Sequence, residues 1–236
     1  MEKLVSKGEF LAADQLRKEF QVEASFYQTN IGKKKYQCRN HAVIMRKGFT
    51  RNDQADAVIL MANPGSCSPS DRSYEFPTVQ GIVKSIPYIS VNDDPTQRQL
   101  MRLMKLLDWN VISIVNLSDF CSGSMKKFGE NLKQAEKYNF DNHTIFAEDR
   151  VKELELLLSG PKTKLILAWG KNTNIRKLAN KVLCNLPVEK ILYGLRYKSP
   201  KWGFRHPYPM IPDKCKAWLE DMDEQLNDTD TNNRAY

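Results

Sequence analysis

Three apolar runs set the frame of this chain. Residues 57–62, 111–116 (Val-Ile-Ser-Ile-Val-Asn) and 164–169 (Lys-Leu-Ile-Leu-Ala-Trp) recur at intervals that leave room for a helix between each pair. Short continuous apolar runs of this kind suit strands covered on both faces. A fourth, weaker run spans 190–195. Between the first two, Asp94-Pro95-Thr96-Gln97 supplies an N-cap, a proline at the first helical position and a glutamine at the third, and leads into Leu100, Leu103, Met104 and Leu107 on one helical face. Further helices are expected at 145–158, 172–184 and 212–225, the last entered through Pro212-Asp213. Strands alternating with helices predict an α/β fold, a three-layer αβα sandwich with a central, mostly parallel four-stranded sheet.

The first run stops at Asn63-Pro64-Gly65. A residue before proline is pushed towards extended geometry, and the following glycine permits unusual dihedrals, so Asn63 is held on a stiff turn at the sheet edge, where α/β proteins keep their chemistry. The segment 66–93 is too long for an idle connection and reads as a pocket wall or lid. Residues 1–22 look like a polar helical lead-in, and 24–50 alternate as two strands of a hairpin or sheet edge. The organisation expected is therefore 1–50 as a helix and edge strands packed on the core, 51–225 as the α/β domain, and 226–236 as an acidic disordered tail.

The formal charge is +8, yet residues 220–236 hold six acids against Arg234, which leaves +13 on residues 1–219. Such a body suits a polyanion, and with no long apolar segment or basic amphipathic helix the partner expected is DNA, not a membrane. The five cysteines are scattered, with no CxxC pair and no histidine at ligand spacing, so no metal and no cofactor are expected. They read as reduced thiols; together with a charged N-terminus lacking a signal-peptide core, this predicts a cytoplasmic protein. A monomer is expected.

Each clear run ends in a polar or glycine-bearing turn: Asn63-Pro64-Gly65, Asn116-Leu117-Ser118-Asp119 and Trp169-Gly170-Lys171-Asn172, with Arg205-His206-Pro207-Tyr208-Pro209 after the fourth. In a parallel sheet these turns share an edge, so two asparagines, a Trp-Gly turn and a histidine converge on one cleft. The order strand-NPG, strand-N-L, L-x-x-W-G, H-P-x-P resembles the uracil-DNA glycosylase superfamily, most of all its mismatch-specific and single-strand-selective branches. It also resembles an uncharacterised group of bacterial and phage proteins that share the D-D-P-T helix start, here Asp93-Asp94-Pro95-Thr96. The resemblance covers 57–220.

The resemblance implies a monofunctional DNA glycosylase that flips a pyrimidine and hydrolyses its N-glycosidic bond. Asn63 would place the water, His206 donate to the pyrimidine O2, Asn116 read the Watson–Crick edge and Phe76 stack on the base. Gly65 stands where strict uracil enzymes carry a tyrosine that blocks C5 substituents, which implies a C5-modified pyrimidine, such as a modified cytosine of phage DNA, ahead of uracil or mismatched thymine. Base excision repair or antiphage defence would follow. Lys201, Arg205 and Lys171 would bind DNA, with Tyr208 or Met210 as a wedge. Tyr208 replaces the serine of the usual H-P-S-P, a departure that bears on the DNA pinch. The alternative from another class is a catalytically inactive DNA- or nucleotide-binding protein of the same fold. A phosphate-cradling nucleotide enzyme is disfavoured by the lack of GxxxxGK[ST] or GxGxxG.

Overall fold

The alternating residues after position 19 form a long hairpin, and that hairpin decides the shape of the sheet. In the computed structural model, which describes residues 10–81, 83, 85–186 and 191–228, the chain runs α1 (Ala13–Glu19), β1 (Phe20–Ile31), β2 (Lys34–Arg46), β3 (Ala57–Met61), β4 (Ser68–Pro69), β5 (Tyr88–Asn92), α2 (Pro95–Leu106), β6 (Val111–Asn116), α3 (Met125–Lys137), α4 (Val151–Leu157), β7 (Lys164–Leu167), α5 (Arg176–Asn185), β8 (Leu192–Tyr193) and α6 (Pro212–Asn227). The strands form an eight-stranded sheet in the order β4-β5-β1-β2-β6-β3-β7-β8.

The α/β class is as expected; the four-stranded, mostly parallel sheet is not. The four expected runs do pair in parallel, β3 with β6 and β7, and β7 with β8. On the β6 side, however, the sheet continues antiparallel through β2, β1, β5 and β4. The physical reason is the free edge of β6: β2 docks on it through Ala42–Met45, and an exposed ladder edge is thereby paired. The hairpin expected at the sheet edge has neighbours on both sides. The segment 66–93 holds β4 and β5, which pair with each other while β5 extends the sheet beyond β1. Helix α3 was not expected from the pattern, and the helix expected over 145–158 is confined to 151–157 after a 3₁₀ turn at 148–150. The lead-in residues 1–9 and the tail from 229 lie outside the described residues.

Both faces of the sheet are covered. Along β3, Ala57, Ile59 and Met61 join a core with Leu16 of α1, Leu100 and Leu103 of α2, and Trp218 and Met222 of α6. Val58 and Leu60 join the opposite core, with Phe128 of α3, Leu154 of α4, and Ala179 and Val182 of α5. A period of two therefore sorts one strand between two helical layers. Helix α2 opens as the sequence predicts: the Asp94 carboxylate accepts from Gln97 N at 2.9 Å, and the Gln97 side chain accepts from Asp94 N at 2.9 Å. No helix among the described residues is long and apolar enough to cross a membrane.

A half-buried histidine, His41, and a buried one, His143, give the fold a defined response to acid. Burial pushes His41 down to about 3, assisted by Arg39 and Arg150, and pushes His143 down to about 4. In the unfolded chain each takes a proton near its ordinary value of about 6.5. Between these values the unfolded state binds more protons, so stability falls as pH falls through 6.5. Asp119 acts oppositely: burial raises it to about 6 against the pull of Arg150, so the fold takes up its proton first. With two groups against one, we expect a net loss of about 3–4 kcal/mol between pH 7 and pH 4. A urea midpoint that stays level or rises over that range contradicts this.

Candidate active site

The carboxyl ends of β3, β6, β7 and β8 lie on one edge because the four strands are parallel. Asn116 is the last residue of β6 and registers with Met61 at the end of β3. Beyond them Leu117 N donates to Met61 O at 2.7 Å and Ser118 N to Ala62 O at 3.3 Å, so the Asn116 turn runs beside the Asn63 turn. The end of β7 is drawn to the last turn by hydrogen bonds between Gly170 and Phe204 at 2.8 and 3.2 Å and by Trp169 Nε1 to Trp202 O at 2.8 Å, and the end of β8 by Arg205 N to Leu195 O at 2.7 Å. His206 follows directly.

Asn63 is half-buried, and its Nδ2 donates to Ser122 O at 2.7 Å, which leaves its carbonyl oxygen to accept from water. Gly65 has φ of +68°, a conformation that explains the glycine by itself; a Cβ there would meet the Asp94 Oδ2 at 3.5 Å. Asp94 also faces His206, whose basicity its charge raises while burial lowers it more strongly, so the ring is held neutral. His206 Nδ1 lies 3.1 Å from Tyr208 N and 3.2 Å from Tyr208 O. The amide can donate to Nδ1 and the carbonyl can accept from it, and the ring presents a donor at Nε2 in the tautomer that pairs the amide.

The most informative atoms are those with no partner. Asn116 is fully buried, and neither its Oδ1 nor its Nδ2 is hydrogen-bonded. By strand alternation it shares the face of Ile112 and Ile114, the face covered by α2 and α6. On that face Met61, Cys67, Cys121, Phe26, Tyr74 and Phe76 pack in one cluster. Phe76 meets Phe26 at 5.8 Å and Tyr74 at 5.5 Å, both edge-on, so the ring expected to stack on a base is seated in an aromatic trio. The Tyr74 hydroxyl is also buried without a partner. Native interiors pair nearly all buried polar groups, and an unpaired amide costs about 1–3 kcal/mol per group.

The expected DNA contacts divide. Lys171 and Lys201 are exposed, Lys171 lying 4.7 Å over the Tyr197 ring. Arg205 is paired with Asp221 of α6 at 2.5 Å, so in the free protein its charge meets a carboxylate. Tyr208 is half-buried, whereas Met210 is 79% exposed with φ of +68°, an unusual conformation for a side-chain-bearing residue. An exposed methionine held there suits a wedge.

Sequence reasoning missed Arg39, which the structure buries on the face of Phe26. Its signal was a lone cation within Cys38-Arg39-Asn40-His41, in an otherwise alternating strand. A cavity of about 550 Å³ lies elsewhere, among Ser25, His41, Tyr88, Val115 and Glu153. Val115 alternates with Asn116, so this cavity opens on the opposite face from the unpaired amide; its lining includes His41, whose Nε2 is also buried without a partner. Among the described residues no group of three or more His, Cys, Asp or Glu is placed to hold a metal. No family model, curated protein or solved structure matches this chain.

Proposed function

We propose that the protein is a DNA glycosylase that flips a pyrimidine nucleotide and hydrolyses its N-glycosidic bond to leave an abasic site. The observation that carries this reading is the fully buried, wholly unpaired amide of Asn116 beside the Asn63-Pro64-Gly65 turn. An amide that both donates and accepts is what discrimination along a pyrimidine edge requires, and a flipped base would repay its burial. The parallel block β6-β3-β7-β8 between two helical layers is the part of the sheet that the glycosylase-like sandwich needs.

The roles are those that the resemblance implies. Bond cleavage gives the sugar oxocarbenium character and the base negative charge. The Asn63 carbonyl oxygen positions water at C1′, and neutral His206 donates from Nε2 to O2 as charge develops. Asn63 cannot take a proton as a carboxylate does, so the site works by leaving-group stabilisation. Lys171 and Lys201 hold phosphates, and Met210 fills the gap in the stack. The glycine at 65 keeps the C5 side free of any side chain of its own.

The second reading is a DNA-binding protein of this fold that does not cleave. It is favoured by the closure of the recess, since the Asn116 and Tyr74 polar atoms are sealed from solvent. Cleavage therefore requires Tyr74 and Phe76 to move aside.

The test incubates the protein with oligonucleotides bearing uracil, mismatched thymine, or hydroxymethylated or glucosylated cytosine, then applies alkali. We expect strand scission at the modified position, reduced about 10–100-fold by Asn116→Ala. If none of these substrates yields an alkali-labile site while DNA is still bound, the non-cleaving reading replaces this one.

A further inference from the structure

Three consecutive lysines, Lys33, Lys34 and Lys35, stand at the tip of the β1–β2 hairpin, and all three are exposed. Strand β2 is antiparallel to both β1 and β6, so β1 runs in the direction of β6 and its end at Ile31 lies on the edge where the parallel strands finish. The register sets Ala42 opposite Ile114, which brings Asn40 level with the end of β6. The six residues from Lys34 to Arg39 therefore carry the tip about 20 Å beyond that end. Helix α3 reaches the same tip from the Asn63 side. It begins just after Ser122, whose carbonyl holds Asn63 Nδ2, and extends for thirteen residues, about 20 Å. At its far end Tyr138 packs on Gly32, where a Cβ would come within 2.7 Å of the ring. Along α3, Lys126, Lys133 and Lys137 fall at i, i+7 and i+11 and form one exposed stripe opposite the buried Phe128 and Ala135. Glu130 shares the stripe but pairs with Lys127, and Glu136 pairs with Lys177.

This placement of charge works against the fold. Lys126 and Lys127 stand in the first turn of α3, where the helix dipole favours an acid, and that turn has none. The three lysines at the hairpin tip repel one another, and neither they nor Lys126 and Lys133 form an ion pair among the described residues. Lys137 lies 5.7 Å over the ring of the half-exposed Tyr138, which joins the helix stripe to the tip. Charge of one sign spread along about 20 Å complements the regularly spaced phosphates of a nucleic acid. We propose that α3 and the hairpin tip form a second DNA-binding arm, in which six lysines hold the duplex flanking the site by its phosphates. The helix stripe alone matches about six base pairs at a rise of 3.4 Å. Lys171 and Lys201 follow β7 and β8, on the other side of the Asn63 turn, so the arm extends the footprint on the β1–β2 side. Its contacts go to the backbone and carry no sequence preference. The arm rests on the DNA partner of the proposed function and is independent of whether a base is cleaved.

The test follows binding of the full chain to a labelled duplex of about 25 base pairs by fluorescence anisotropy across a salt series. One variant combines Lys33→Gln, Lys34→Gln and Lys35→Gln, and a second combines Lys126→Gln, Lys133→Gln and Lys137→Gln. A control combining Lys18→Gln, Lys47→Gln and Lys162→Gln removes the same charge from exposed positions at the opposite edge, where β1 and β7 start and β2 ends. Each arm variant is expected to bind about 10–100-fold more weakly at about 0.1 M salt, with the slope of log K against log salt shallower by about 2–3. The control is expected to lose less than about 3-fold and to keep the slope. Melting temperatures of all variants stay within about 2 °C of the parent. Arm variants that bind as the parent does, or a control that loses as much as they do, overturn the arm while the DNA partner stands. A larger fall in an arm variant's melting temperature assigns the lysines to the fold and also overturns it. Binding that depends on the arm, without any alkali-labile product, upholds the arm while the cleavage reading fails. If the parent binds no DNA, the arm and the DNA partner fail together.

Discussion

Arg150→Met is expected to cost about 3–5 kcal/mol at pH 7, a large share of the stability of a domain this size. The Arg150 side chain is fully buried and donates from Nη1 to Asp119 Oδ2 at 2.5 Å and to Asn142 O at 3.1 Å, while its Nη2 reaches Glu153 at 3.0 Å. Asp119 is equally buried, and among the described residues its carboxylate otherwise receives the Tyr27 hydroxyl at 2.8 Å. Burial works against the Arg150 charge, and Asp119 and Glu153 more than offset it. Removing the guanidinium strands a carboxylate in the core, and its protonation is favoured further above the about 6 it already has. The loss is therefore largest above that pH, where Asp119 must ionise, and shrinks as acid protonates it in the fold. Urea unfolding at pH 7 and pH 5 checks this: a loss below 1 kcal/mol at pH 7, or a larger one at pH 5, contradicts it. Arg150→Met with Asp119→Asn recovers much of the loss. The pair also matters to the site, because the Asp119 carbonyl accepts from Arg39 N at 2.9 Å and the Asp119 amide donates to His143 O at 2.7 Å.

On the proposed glycosylase reading, His206→Ala is expected to slow N-glycosidic cleavage by about 10²–10³-fold in single turnover with little change in DNA affinity. Burial holds the imidazole below its ordinary value and Nδ1 sits against Tyr208, so on that reading the loss is that of one donor to the leaving base. Because burial keeps the ring below its ordinary value, protonating His206 does not limit the rate between pH 8 and pH 6.5 in the parent protein. Equal rates for variant and parent, or an affinity loss that matches the whole rate loss, assign His206 to binding or to structure instead.

The four strands 57–61, 111–116, 164–167 and 192–193 were legible because both of their faces are covered, which writes a continuous apolar run into the sequence. The start of α2 was legible because Asp94, Pro95 and Gln97 act within one turn. Helix α3 was missed because its buried face, Phe128, Gly129, Asn131 and Ala135, has only one large apolar side chain. Strand β5 was missed because Tyr88–Asn92 is only half-buried on the rim of the sheet. The turn residues Asn63, Asn116 and His206 were visible as polar stops, whereas Arg39 was hidden because a single cation in an alternating strand reads as an outward residue.

The sequence by itself determined the α/β class, the places of the buried strands with the polar turns that end them, and the cap of α2, since each is written in a run of neighbouring residues. Tertiary structure alone decided that the hairpin completes one mixed sheet, that Asn116 and Arg39 are buried without partners, and that Arg205 is paired with Asp221. Partners and desolvation come from residues tens of positions away, so the electrostatic state of a side chain is written only once strands and helices have closed around it.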